Sequence, residues 1–226
     1  MPALLRESVR SPRFQLLAVG LAGCAALLVV RGWYAHDLMF RFLVWNLCLA
    51  LVPALASATM VRADRHGARV VALGWAIVWL LFLPNAPYLI TDLVHLKPRP
   101  PVPYWFDILL FTTFAGAGIL AAFSSFHDVQ HVVAERFGRN ASWAVLALAA
   151  LASGFGIYLG RVERLNSWDV FTRPHDLLPA ITERLFAPWT QPRALAVTLL
   201  YGAVVLFGYV AVRVITKPRR RDGAPS

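Results

Sequence analysis

Two stretches of the chain concentrate side chains that can do chemistry: "FLPNAPYLITDLVHLKPRP" (82–100) and "GIYLGRVERLNSWDVFTRPHD" (156–176). In the first, Thr91 and His95 are four apart and Asp92 and His95 are three apart. On a helix those spacings put the three side chains on one face. An aspartate and a histidine so placed could ligate a metal, pass a proton or pair with each other. Two ligands are too few to specify a metal, so no cofactor follows. In the second stretch Arg161, Glu163 and Arg164 follow Gly160, and Asn166, Ser167, Trp168 and Asp169 come next. A guanidinium can hold a phosphate or carboxylate as a planar fork. Asn166 and Asp169, with a serine between, favour a tight side-chain-bonded turn. Each stretch also has a plainer reading: an interfacial helix with a locally paired aspartate, and a charged helix end followed by a turn.

The elements that must position these residues are membrane helices. The chain has 226 residues, 58% hydrophobic and 15% charged, and a mean hydropathy of +0.59. A soluble domain would carry about 25% charged residues. The net charge of +10 is dispersed over short connections between apolar runs, which fits membrane topology better than nucleic-acid binding. The implied partner is the lipid bilayer; a protein partner stays unspecified. Cys24 and Cys48 lie inside apolar runs and make no disulfide framework. Leu21–Cys24 resembles a lipoprotein cleavage box, but the apolar run continues to Val30, as in a plain transmembrane helix.

A spanning helix needs roughly 17–25 mostly apolar residues. Six candidates emerge, at approximately 14–30, 38–61, 70–90, 105–126, 142–159 and 194–215. The expected fold is an all-α polytopic membrane protein with about six transmembrane helices, forming one integral membrane domain over 1–226, with a basic tail at 216–226. The third helix should be broken, because Pro84 and Pro87 interrupt its hydrogen-bond ladder, and Asn85 can bond to the freed backbone groups. Residues 174–187 carry Leu177, Leu178, Ile181, Leu185 and Phe186 at helical spacing, as an amphipathic helix in the outer interface would.

Of the Lys and Arg residues in the connections and termini, thirteen fall on the side of both termini and eight on the other. The positive-inside rule then places both termini in the cytoplasm. Both polar stretches end odd-numbered spans, so they share the outer side. Within the spans, Arg41 and Asp107 are each about one turn below that surface, and buried ions need partners. An Arg41–Asp107 pair is the simplest solution. Gly156–Gly160 is a GxxxG, which permits close helix contact.

Together "LPNAPYLITDLVHL", "WFD" at 105–107 and "YLGRVERLNSWD" resemble the DUF1361 family of bacterial multi-pass membrane proteins. The resemblance implies a bacterial inner-membrane protein and supplies no reaction, since the family is of unknown function. Its characteristic blocks map onto Pro84, Asn85, Pro87, Tyr88, Asp92, His95, Asp107, Gly160, Arg161, Asn166, Ser167, Trp168 and Asp169. Leu165 stands where an aromatic would be expected.

Three functions are open. A membrane-embedded enzyme acting on a lipid or lipid-linked anionic substrate would use Asp92, His95, Asp107 and Asp169 as acid–base groups or metal ligands. Asn85, Arg161, Arg164 and Asn166 would then hold the substrate, in a pocket open to the outer leaflet. An accessory subunit docking a partner would instead pair these polar residues among themselves. A small transporter would carry a polar path through the membrane.

Overall fold

The computed structural model describes residues 12–186 and 191–216. The end of the expected amphipathic helix at Ala187, all but the first residue of the basic tail, and the arginines at positions 6 and 10 lie outside them. Among the described residues the chain is helical, without strands. In chain order come α1 (Pro12–Ala35), α2 (Arg41–Arg65), α3 (Arg69–Phe82), α4 (Asn85–Thr91), a short 3-10 turn (Asp92–His95), α5 (Tyr104–Arg161), α6 (Asp169–Thr172), α7 (Pro174–Phe186) and α8 (Pro192–Thr216).

Five segments are long and apolar enough to cross a membrane: Arg13–Ala35, Arg41–Arg65, Arg69–His95, Tyr104–Arg161 and Pro192–Thr216. The protein is therefore an all-α polytopic membrane protein. The fourth segment has 58 residues, which would stretch about 87 Å as a straight helix at 1.5 Å per residue. It is interrupted at Gly138, whose φ of 85° and ψ of 169° lie outside any helical region. Only glycine adopts that conformation without strain. The two arms fold against each other: Phe126 and Val129 of the first share a core with Leu146, Ala149 and Ala150 of the second.

α1 runs unbroken through Cys24, which is buried against α5-side residues of the core. That core gathers Phe40, Leu43 and Phe111 near one end of the bundle. A second core joins Met60, Trp79, Phe126, Val205 and Tyr209 toward the other. Trp79 donates from Nε1 to Ser125 Oγ at 3.0 Å, so the buried indole is satisfied.

The expected break follows Phe82. The chain turns at Leu83 and Pro84 and resumes as α4. Gly156 and Gly160 of the second α5 arm lie against it in step. A Cβ on Gly156 would run into the Pro84 ring, and one on Gly160 would come within 3.0 Å of Tyr88 Cε2. The GxxxG thus lets α5 seat directly on the broken segment.

Candidate functional site

Losing two proline N–H groups and bending the chain frees carbonyls at the end of α3. Two of them find side-chain donors. Asn85 Nδ2 donates to Phe82 O at 2.9 Å, and Ser167 Oγ donates to Leu81 O at 2.9 Å. The two side chains are themselves joined, Asn85 Nδ2 donating to Ser167 Oγ at 2.9 Å. The second polar stretch therefore stitches the break in the first.

Below the break, Tyr88, Thr91, Asp92 and His95 share one helix face and meet the end of α5. Arg161 donates from Nη2 to Asp92 Oδ1 at 2.9 Å and to Thr91 Oγ1 at 2.6 Å. Its Nε donates to Thr91 Oγ1 at 3.1 Å, and its Nη1 donates to His95 Nε2 at 3.2 Å. The guanidinium also lies over the Tyr88 ring, 4.7 Å from its centroid. Because a guanidinium has no acceptor, His95 Nε2 must carry the lone pair here. Asp92 is only 2% exposed, and its second oxygen accepts from Asn46 Nδ2 at 2.8 Å. Every nitrogen of Arg161 and both oxygens of Asp92 are engaged. Their charges offset each other, as a buried ion pair requires.

Asp169 is equally enclosed, at 2% exposure. It accepts from the Asn166 amide at 2.7 Å, from Thr172 Oγ1 at 2.9 Å and from Arg173 Nη2 at 2.9 Å. Burial acts to raise its pKa, but the bonds from Arg173, Asn166 and Thr172 outweigh it and hold the carboxyl at about 2. This is the side-chain-bonded turn that the Asn–Ser–Asp spacing predicted, with Arg173 as a partner that the spacing did not reveal.

Asp107 is buried, but its partner differs from the expected one. Arg31 Nε donates to Asp107 Oδ1 at 3.3 Å, while Arg41 is exposed. Arg31 also pairs with Asp37 and lies over Phe40, 4.5 Å from the ring centroid. The expected Arg41–Asp107 pair is corrected on this point. Arg31 ends the first apolar run, and the bundle turns it inward beside the start of α5, leaving it 2% exposed. The other Asp107 oxygen is buried and has no hydrogen-bond partner among the described residues. Asp107 does not join Asp92 and His95; an aromatic layer intervenes, with Phe42 edge-on to His95 at 5.8 Å and Phe40 edge-on to Phe111 at 4.9 Å.

Beside the stitched break lies a cavity of about 770 Å³, within the ~300–1,000 Å³ usual for small-molecule sites. Its walls come from every element around the break: Leu49 of α2, Leu80 and Leu81 of α3, Ala152, Phe155 and Leu159 of α5, Leu177 and Ile181 of α7, and Leu195 of α8. The expected amphipathic helix thus turns Leu177 and Ile181 toward this cavity. Polar residues line it from both motifs, Asn85 and Tyr88 from the first and Asn166 and Ser167 from the second, and Asn46, Arg184 and Thr198 line it as well. Arg184 donates to Glu163 Oε1 at 2.8 Å.

Of the expected site residues, Asn85 and Asn166 border the cavity. Asp92, His95, Arg161, Asp107 and Asp169 do not, and Arg164 is exposed in the left-handed region, with φ of 57°. Among the described residues no three His, Cys, Asp or Glu side chains are grouped to hold a metal ion. Arg31, Asp37, Arg173 and Arg184 were missed by sequence reasoning. Only the position of Arg31 at the end of an apolar run signalled a buried role.

No curated protein and no solved structure matches the chain. A family model described as "Protein of unknown function (DUF1361)" matches residues 45–207, a span that holds the break, the arginine-centred network and most of the cavity wall. The chain belongs to the DUF1361 family.

Proposed function

We propose that this membrane protein binds a single amphipathic lipid in the cavity beside the broken third span. One observation carries the reading: a mainly apolar chamber of about 770 Å³ opens between membrane-spanning helices, and a few polar side chains, the hydrogen-bonded pair Asn85 and Ser167 among them, line it. Apolar walls with a small polar cluster suit a molecule with an acyl or prenyl tail and a compact head. Binding is favoured over catalysis because the four candidate acid–base groups lie outside the chamber. Asp92 and Asp169 are each saturated by arginine and neutral donors. That self-pairing is the pattern expected of a scaffold that shapes a site.

The topology that accompanies this reading has six crossings, the two arms of α5 counting separately, with both termini in the cytoplasm of a bacterial inner membrane. The excess of basic residues on that side supports it, and the cavity then lies toward the outer leaflet. Cysteine labelling at Arg164 and Arg139, in a background without Cys48, tests the orientation: only the former should react from outside.

The binding reading is tested by mass spectrometry of lipid retained through purification, on the wild-type protein and Ala152→Phe. Ala152 lines the chamber, so the phenyl ring should project into it and obstruct a bound tail. The wild type should retain about one lipid per chain, and the variant should lose it while keeping its melting temperature. Equal lipid content in both proteins would dispose of the proposal.

A further inference from the structure

The chamber is shut toward the bundle by two glycine seams. On one, Gly156 and Gly160 seat α5 on Pro84 and Tyr88. On the other, a Cβ on Gly154 would run into the Thr198 carbonyl, and one on Gly202 would come within 3.1 Å of the Ala150 carbonyl oxygen. There α5 and α8 meet backbone to backbone, as small residues allow. α7 covers one end, where Leu177 is buried against Tyr158, Leu159 and Ala194. The remaining wall shows outward. Leu80 of α3, Leu151 of α5 and Leu195 of α8 line the chamber and lie within segments of spanning length. They are nevertheless 44%, 36% and 43% exposed. Aliphatic side chains exposed on spanning helices face lipid tails, so this side of the chamber opens into the bilayer.

We propose that the chamber takes one acyl chain of a two-chain bilayer lipid through this side, while the second chain stays in the bilayer; this rests on the lipid-binding reading above. Volume decides how much can enter. A methylene fills about as much space as a water molecule in the liquid, ~30 Å³, so a chain of eighteen carbons needs ~540 Å³ and a pair needs ~1,080 Å³. The chamber, at about 770 Å³, holds one such chain and not two. The second chain has a place outside. Leu148 and Leu199, one turn beyond Leu151 and Leu195 along α5 and α8, are exposed as well and continue the aliphatic surface. A chain lying there loses nothing, because lipid tails are as apolar as leucine. The ligand is a two-chain lipid because two-chain lipids make up the bilayer that the open side faces. A lipid enclosed whole would need a closed wall where Leu80, Leu151 and Leu195 stand exposed.

The test compares two probes with the same phosphocholine head and the same oleoyl chain, dioleoylphosphatidylcholine and oleoyl-lysophosphatidylcholine. Each is titrated onto the delipidated full chain in dodecyl maltoside, and binding is read by native mass spectrometry. The two should bind within ~3-fold of each other, since each places one chain in the chamber and the extra chain rests on an equally apolar surface. Ala152→Phe should weaken both by ~10-fold or more, because the ring and the chain compete for one volume. A strong preference for the one-chain probe would mean that the ligand is enclosed whole. A strong preference for the two-chain probe would mean that both chains are held. Either result would overturn the inference while leaving lipid binding intact. If Ala152→Phe leaves the binding of both probes unchanged, the ligand lies elsewhere and the underlying reading fails as well.

Discussion

Arg161 Nη2 lies 2.9 Å from Asp92 Oδ1, joining the end of α5 to the turn after α4. This pair converts the most chemistry-like residues of the sequence into a brace. Removing one partner of a buried ion pair leaves the other uncompensated.

Asp92→Asn should therefore lower stability by about 1.5–3 kcal/mol, as losing a hydrogen-bonded charge does when the guanidinium left behind is only partly buried. The double variant Asp92→Asn/Arg161→Gln should be less destabilised than the sum of the two single changes. Thermal melts in detergent and membrane abundance measure both. If Asp92→Asn melted like the wild type yet abolished a cellular phenotype, the carboxylate would be a reacting group instead of a brace.

Asp169 makes a pH-dependent contribution. Its folded pKa of about 2 lies below the ordinary 3.8. The native loop is thus stabilised above pH 3.8, and the contribution disappears as pH falls through about 2. Hydrogen exchange at the Asn166 amide, which donates to Asp169, reports it directly. Protection in the wild type should decline across that window. In Asp169→Asn it should be weaker above the window and should show no step within it.

The GxxxG contacts rank two substitutions. Gly156→Ala drives a methyl into the rigid Pro84 ring, whereas Gly160→Ala meets the edge of Tyr88, which can tilt. Overpacking costs about 1–3 kcal/mol, and Gly156→Ala belongs at the upper end of that range and Gly160→Ala at the lower. Melting temperatures would have to fall in that order; equal effects would mean that α5 does not seat on the break.

Arg31 and Arg41 should differ sharply. Arg31→Ala strands the buried Asp107 and should destabilise by about 3–5 kcal/mol. Arg41→Ala removes an exposed side chain and should stay within about 0.5 kcal/mol. Denaturation of the two single variants side by side decides between the partners.

The sequence by itself determined the class of fold and the location of the break. Apolar runs of spanning length, low charge and dispersed basic residues admit little other than a helical membrane protein. Two prolines three residues apart oblige the ladder to fail near Phe82 whatever surrounds it. The Asn166–Asp169 turn was legible too, because its two ends lie three residues apart. Tertiary structure decided the rest, because long-range partners depend on how helices sit in rotation and depth. Spacing placed Thr91, Asp92 and His95 on one face but could not say that Arg161, about seventy residues on, would fill it. Two arginines flank the connection from α1 to α2, and only the bundle turns Arg31 inward and leaves Arg41 exposed. The chamber is the extreme case. It is lined by residues of seven elements, from Asn46 of α2 to Thr198 of α8, a gathering that no single residue carries.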